Sequence, residues 1–170
     1  DFDGTDDAYL SQSSVTIRNF TFSAWIRGDA FTNWRTVATV GEQRDMCLNA
    51  GVLTFWASDT GYSFGTALST GTWHQVAVTY DGTTLRGYVN GSASTNTYTI
   101  TLAQYNATLQ FARWMTSYDF FDGILDEVRV STQARSPNWI RTHYESERDH
   151  LIDFGTEERY YDYVLKIVNQ

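Results

Sequence analysis

Residues 73–91 (WHQVAVTYDGTTLRGYVNG) constrain the fold more than any other part of the sequence. Trp73–Tyr80 and Leu85–Asn90 are rich in β-branched and aromatic residues, which favour extended strands. The link between them carries the pair Asp81-Gly82, which readily adopts the positive φ angles of a tight hairpin turn. The segment therefore predicts an antiparallel β-hairpin.

The same pattern of short apolar runs separated by turn residues recurs along most of the chain. Phe20–Arg27 alternates, and four of its side chains are expected to share one buried face: Phe20, Phe22, Ala24 and Ile26. Further strands are predicted at Trp34–Val40, Met46–Asn49, Val52–Ala57, Thr97–Leu102, Thr108–Arg113 and Ile124–Ser131. Because only one helix is visible, the pattern favours an all-β antiparallel sandwich over a doubly wound α/β fold.

The pattern changes near the C-terminal end. Ser136 followed by Pro137 is a typical helix start, and helical spacing of apolar residues continues to about Arg148. Glu157–Gln170 returns to alternation and predicts a final strand beyond the β core. We therefore expect a sandwich domain over residues 1–148 and a C-terminal extension over residues 149–170.

The charge balance argues against several classes of partner. The chain has 12 Lys and Arg residues against 20 Asp and Glu residues, a formal net charge of −8. Such a surface repels nucleic-acid phosphates and anionic lipid headgroups. No apolar run approaches the length needed for membrane insertion. Acidic side chains do suit hard cations such as calcium.

Two further features concern processing and cross-linking. Cys47 is the only cysteine, so an intramolecular disulfide cannot form. The chain begins with Asp1 rather than with a methionine, and we expect this to be a processed N terminus or the boundary of an excised domain.

The most informative acidic residue is Asp126, in FFDGILDEVRV. Regular alternation along this strand would place its carboxylate on the same face as Ile124, Val128 and Val130. A carboxylate among aliphatic side chains is costly to bury unless a cation, an arginine or backbone N–H groups neutralise it.

The N-terminal segment DFDGTDD offers oxygen ligands for such a cation. We predict a calcium ion that joins Asp3, and either Asp6 or Asp7, to Asp126. The alternative is that Asp126 accepts backbone hydrogen bonds, while the N-terminal aspartates are solvated turn residues.

Five motifs occur in a characteristic order: FDGTDDAYL, FTFSAWIR, WHQVAVTYDGTTLRGYVNG, FDGILDEVRV and TQARSPNWI. Together they resemble the laminin-G-like (concanavalin A-like lectin/glucanase) jelly rolls of secreted multidomain proteins, over residues 2–147. The resemblance implies a jelly-roll sandwich, an extracellular or cell-surface location, and a structural calcium held by Asp3, Asp6 and Asp126. This fold hosts lectins, adhesion modules, enzymes and structural modules, so function must be argued from the residues.

The distribution of acidic residues argues against a hydrolase. Glucanases of this superfamily carry a Glu-x-Asp-x-(x)-Glu motif, and glycoside hydrolysis needs two carboxyl groups flanking the bond. No glutamate of this chain falls in that spacing, and the neighbours Asp126 and Glu127 point to opposite faces of a regular strand. The three histidines do not fall at zinc spacing. We therefore expect no enzymatic activity, and a hydrolase is the least favoured hypothesis.

Aromatic residues near predicted loops are the remaining candidates for ligand contact, because sugars stack on flat rings. They are Trp34, Trp56, Tyr62, Trp114, Tyr118 and Phe121. We select Trp114, Tyr118 and Trp56 as candidate ligand-binding residues, and we expect residues 113–118 to form an exposed aromatic loop. Core packing and loop anchoring remain the alternative for the whole set.

Two functional hypotheses follow. The first is a non-catalytic carbohydrate-binding or adhesion module, stabilised by calcium, whose partner is a glycan or a cell-surface protein. The second is a structural subunit of a surface filament or virion that associates with copies of itself. In that case an unpaired sheet edge would accept the tail of the next copy through strand addition. The candidate assembly residues are Tyr160, Tyr163, Leu165 and Ile167.

Overall fold

The computed structural model of the chain describes residues 2–5, 11–114 and 119–148. Within these ranges lie strands β1 (Phe2–Asp3), β2 (Ser11–Ile17), β3 (Phe20–Gly28), β4 (Trp34–Val40), β5 (Arg44–Asn49), β6 (Val52–Ala57), β7 (Thr60–Ala67), β8 (His74–Tyr80), β9 (Thr84–Val89), β10 (Ser92–Thr99), β11 (Tyr105–Phe111) and β12 (Asp122–Ser131). One helix, α1 (Pro137–Glu147), follows them.

The described strands form two six-stranded sheets. The first has the order β1-β12-β3-β8-β9-β10, and the second has the order β2-β11-β4-β5-β6-β7. Every pairing between described strands is antiparallel. The predicted all-β antiparallel sandwich with one short C-terminal helix is therefore confirmed.

The core lies between the two sheets, where alternating side chains of β3 meet those of β6. Phe20, Phe22, Ala24 and Ile26 are all buried, as the alternation of this strand predicts. The rings of Phe20 and Phe55 stack across the interface, with centroids 5.1 Å apart. Such aromatic pairs add about 0.5–1.5 kcal/mol beyond the burial of their surface, and this pair joins the first sheet to the second.

The turn between β5 and β6 sets the register of the second sheet. Ala50 and Gly51 both adopt positive φ, at 47° and 82°, which matches the twist of a two-residue hairpin. This register pairs Met46 with Phe55 and Asp45 with Trp56. Because Met46 and Phe55 point into the core, Asp45 and Trp56 lie together on the outer face of the sheet.

Helix α1 begins where the sequence predicts, and it packs on the first sheet. The N-cap Ser136 accepts a hydrogen bond from the backbone N–H of Trp139 at 3.2 Å, and proline occupies the first turn. Ile140 is completely buried. The ring of Tyr144 stacks on Trp25 of β3 at 5.6 Å. The helix thus covers part of the outer face of the first sheet.

The regular alternation predicted for Phe120–Val130 is wrong. The register between β12 and β3 shifts between Asp126 and Arg129, and Glu127 has a φ of 49°. A bulge places an extra residue in one strand and so reverses the side on which the following residues point. As a result Val128 packs against the core, whereas Asp126 is exposed.

The C-terminal strand, with Tyr160, Tyr163, Leu165 and Ile167, lies outside the described residues and stays a prediction. Among the described residues, no helix has the length and apolar character needed to cross a membrane.

Candidate functional site

A pocket of about 180 Å³ opens on the outer face of the second sheet. Its lining consists of Trp34, Asp45, Trp56, Trp114 and Asp119. The structure thus brings together two of the three predicted ligand-binding residues, Trp56 and Trp114. The third, Tyr118, lies outside the described residues.

Three neighbouring strands supply the floor of this tryptophan pocket. Trp34 begins β4, Asp45 lies on the central strand β5, and Trp56 lies directly opposite Asp45 on β6. The rings of Trp34 and Trp56 meet edge to face, with centroids 5.6 Å apart and planes 84° apart. The hairpin register therefore leads to two indole rings beside a carboxyl group.

The segment after β11 supplies the rest of the lining, and both of its ends are attached to the sandwich. The carbonyl oxygen of Asp119 accepts the N–H of Thr36 at 2.8 Å, and that of Ala112 accepts the N–H of Phe121 at 2.7 Å. Phe121 is fully buried in the core, so this candidate aromatic is an anchor and not a ligand contact. These attachments hold Trp114 and Asp119 beside the tryptophans of the sheet.

Asp45 is an unusual carboxyl group because only 5% of the residue is exposed. Its Oδ2 accepts a hydrogen bond from the hydroxyl of Thr36 at 3.2 Å, whereas its buried Oδ1 has no hydrogen-bond partner. Burial raises the pKa of Asp45 to about 7, and the charge of Asp119 adds to this rise. The nearby thiol of Cys47 and the hydrogen bond from Thr36 oppose the rise without cancelling it.

Two other polar groups of the pocket are also removed from solvent to some extent. The indole Nε1 of Trp114 is buried without a hydrogen-bond partner. Burial raises the pKa of Asp119, and the guanidinium of Arg35 opposes this effect. The pocket therefore combines apolar rings with one unpartnered acceptor and one unpartnered donor. A ligand with both apolar faces and hydroxyl groups would complement it.

Two of the residues predicted to bind calcium, Asp3 and Asp126, lie on the paired strands β1 and β12. Asp3 lies opposite Asp122 across β1 and β12, and its Oδ1 accepts the backbone N–H of Thr5 at 2.9 Å. Asp126 lies four residues beyond Asp122, about 13 Å along a strand that rises about 3.3 Å per residue. Its Oδ1 accepts the N–H of Glu127 at 2.8 Å.

Asp3 thus pairs at the start of β12, whereas Asp126 lies near the middle of that strand. Over the ranges that the structure describes, no cluster of three or more His, Cys, Asp or Glu side chains could hold a metal. Asp6 lies outside these ranges. The calcium site stays a prediction that the described carboxylates do not complete by themselves.

Sequence reasoning missed Asp45 and Asp119, and it weighed Trp34 without selecting it. A signal for Asp45 was present in the hairpin. Counting back from the two-residue turn pairs residue 45 with residue 56. The apolar Met46 and Leu48 then leave Asp45 on the face that carries Trp56. Asp119 had no comparable signal, because its position depends on the path of a loop.

The sequence profile of the laminin-G-type family of the concanavalin A-like lectin/glucanases superfamily matches residues 2–141. No curated protein sequence matches the chain.

Several solved structures share the fold at low sequence identity. A Bacteroides ovatus protein described as a candidate carbohydrate-binding protein is 20% identical, with a TM-score of 0.69, over 82% of this chain and 46% of its own length. CBM40 of the Ruminococcus gnavus IT-sialidase, bound to α2,3-sialyllactose, is 11% identical, with a TM-score of 0.65, over 79% of this chain and 98% of its own. Domain 4 of the Geobacillus stearothermophilus arabinanase AbnA, in complex with arabinotriose, is 17% identical, with a TM-score of 0.60, over 83% of this chain and 85% of its own. At these identities the similarity concerns the fold alone.

Proposed function

The chain belongs to the concanavalin A-like lectin/glucanases superfamily, and on this premise we propose that it is a non-catalytic domain that binds carbohydrate in the tryptophan pocket. The observation that carries the proposal is the convergence of three tryptophans and a buried carboxyl group in one pocket. Family membership alone would not identify a function, since this fold hosts many activities.

The chemistry of the pocket suits a sugar. Pyranose and furanose rings present C–H groups on one face and hydroxyls around the rim, so aromatic rings contact the face while polar groups meet the rim. Trp34, Trp56 and Trp114 supply the rings. Asp45 supplies an unpartnered acceptor, and the indole of Trp114 supplies an unpartnered donor.

The carboxyl groups of the pocket support binding over hydrolysis. Glycoside hydrolysis uses one protonated carboxylic acid and one ionised carboxylate on either side of the bond. Burial raises the pKa of both Asp45 and Asp119, so burial disfavours the ionised form at both positions. Asp45 is also almost completely buried, as is its Oδ1. We therefore propose that these groups position hydroxyls.

The setting of this domain is part of the proposal. The chain spans 46% of the length of the Bacteroides ovatus protein, so we propose a binding module of a larger protein at the cell surface or outside the cell. Its partner would be a glycan, free or carried by a cell-surface protein. An adhesive role would follow if that glycan belongs to another cell.

A glycan array tests the proposal directly. The protein should bind at least one carbohydrate, and Trp114→Ala and Trp56→Ala should each abolish that signal. Trp73→Ala is the matched control, because Trp73 is 40% exposed but lines a different groove, beside α1. Absence of binding to every glycan, or equal loss in the Trp73 variant, would contradict the proposal.

A further inference from the structure

We propose, on the basis of the proposed function, that the tryptophan pocket selects an uncharged terminal sugar, whose hydroxyl groups complete the hydrogen bonding of Asp45 Oδ1 and Trp114 Nε1, and that it rejects acidic sugars.

The first step concerns two buried atoms that lack hydrogen bonds. Asp45 Oδ1 and Trp114 Nε1 are both buried and unpartnered, and both residues line the same pocket. A buried polar atom without a partner costs about 1–3 kcal/mol. A ligand that satisfies both atoms removes this cost, whereas a ligand without hydroxyls leaves it in place.

The second step asks which chemical group satisfies both atoms. Indole N–H only donates, and an ionised carboxylate only accepts. A hydroxyl does both, so adjacent hydroxyls of one sugar ring can donate to Asp45 and accept from Trp114. Above pH 7, where Asp45 is ionised, a ligand carboxylate could accept from the indole but has no proton to donate to Asp45.

The third step concerns the charges that surround Asp45. On β5 the buried thiol of Cys47 lies on the same face as Asp45. The charge of Asp119, in the segment after β11, raises the pKa of Asp45. Thr39 of β4 and Trp56 of β6 pair with Asp45, and the hydroxyl of Thr36 donates to it; none of these side chains carries a charge.

Arg35 is the nearby cation, and it acts on Asp119 but is not among the groups that shift the pKa of Asp45. Its Nη1 donates to the carbonyl oxygen of Phe120 at 3.2 Å. No basic side chain is among the described residues that line the pocket. An acidic sugar would therefore meet the carboxyl group of Asp45 without a compensating cation beside it.

The fourth step concerns size. The pocket volume of about 180 Å³ is below the 300–1,000 Å³ that is usual for sites enclosing a drug-sized ligand. The room suits one ring at the end of a glycan, with the rest of the chain in solvent. Specificity should therefore depend on the terminal residue.

Calorimetric titration with paired sugars tests the inference. The neutral probes are lactose, cellobiose and arabinotriose, and the carboxylated probes are 3′-sialyllactose and cellobiouronic acid. We expect at least one neutral probe to bind, and the carboxylated probes to bind at least tenfold more weakly. Because a hydroxyl donates more strongly to an ionised carboxylate, affinity for the neutral probe should rise up to about tenfold between pH 6 and pH 8.

Asp45→Asn is the informative variant, since it keeps the shape and removes the charge. It should bind the neutral probe without this pH dependence and should lose much of the discrimination against acidic probes. Asp59→Asn is the matched control: Asp59 is an exposed turn residue with a φ of 59°, a conformation that Asn tolerates well.

The outcomes separate the two proposals. Equal or tighter binding of an acidic probe, or unchanged pH dependence in Asp45→Asn, overturns the inference. If an acidic probe binds the unmodified protein as tightly as a neutral one, and Trp114→Ala loses both, the inference fails but the proposed function stands. If no carbohydrate binds the unmodified protein, both fail.

Discussion

The indole rings of Trp34 and Trp56 meet edge to face on the outer side of the second sheet, with planes 84° apart and centroids 5.6 Å apart. In this T-shaped arrangement the rings fix each other's orientation, and such a pair contributes about 0.5–1.5 kcal/mol beyond burial. The pair therefore offers a preorganised apolar wall beside Asp45, which reduces the conformational entropy lost when a ligand binds.

Replacing one ring of this pair should separate binding from stability. Trp56→Phe keeps a flat ring and should weaken glycan binding less than tenfold, whereas Trp56→Ala should weaken it more than tenfold, about 1.4 kcal/mol or more. Titration calorimetry measures the affinities, and circular dichroism confirms that both variants remain folded. Equal binding by the two variants would show that the ring does not contact the ligand.

The pKa of Asp45 predicts how stability depends on pH. Its folded-state pKa of about 7 lies well above the value of about 3.9 expected in the unfolded chain. Between these pH values Asp45 is protonated in the folded state and ionised in the unfolded state. Its contribution therefore lowers the free energy of unfolding as the pH rises from about 4 to about 7. The raised pKa of Asp119 acts in the same direction.

Asp45→Asn should remove most of this dependence. At pH 8 the variant should be more stable than the unmodified protein by roughly 2–4 kcal/mol, and at pH 4 the two should be similar. Urea unfolding at both pH values measures the difference. Asp81→Asn makes a useful contrast, because hydrogen bonding to Arg86 lowers the pKa of Asp81. The ionised Asp81 therefore stabilises the fold at neutral pH, and this contribution is lost only in acid. A constant difference between Asp45→Asn and the unmodified protein at both pH values would contradict the assignment.

The sequence predicted much of the sandwich because alternation and turn chemistry are local. The hairpin at Asp81-Gly82 and the buried face of Phe20–Arg27 depend on residues adjacent in sequence, and both are confirmed. The prediction for the face of Asp126 was wrong because a bulge is defined by how two strands pair. The alternation within one strand does not contain that information.

The candidate site was predicted only in part for the same kind of reason. Trp56 and Trp114 were selected as aromatic residues near loops, and they do line one pocket. Asp119 reaches that pocket through a backbone hydrogen bond with Thr36, residues that lie 83 positions apart in the numbering. No periodicity in the sequence encodes a contact of this range.

The bulge also predicts how the chain responds to calcium. The exposed Asp126 accepts the N–H of Glu127, and Asn at this position could accept the same hydrogen bond. Thermal unfolding in calcium and in chelator tests the calcium site. We expect Asp126→Asn to leave the melting temperature and any calcium-dependent shift within about 1 °C of the unmodified protein, because a surface change of this kind costs at most about 0.5 kcal/mol. Loss of a calcium shift in this variant would instead place Asp126 among the ligands.

The role of the C-terminal extension can be tested by truncation. No core residue identified among the described positions lies beyond Ile140, so deletion of residues 158–170 should leave the sandwich folded. Its far-ultraviolet circular dichroism should keep the signature of a β protein. The assembly hypothesis further requires that the intact chain associates and that the truncated chain does not, which multi-angle light scattering measures.

The edge of β12 offers the place where such an added strand could pair. β1 pairs only with Asp122 and Gly123, and no other described strand occupies that side of the ten-residue strand β12. An open edge of this length can accept a strand from another copy. Val130→Pro would remove a backbone donor of β12, but it would also disturb the pairing with β3, so truncation is the cleaner variant. A strictly monomeric intact protein, or a truncated protein that still associates, would exclude assembly through the tail and leave carbohydrate binding as the remaining proposal.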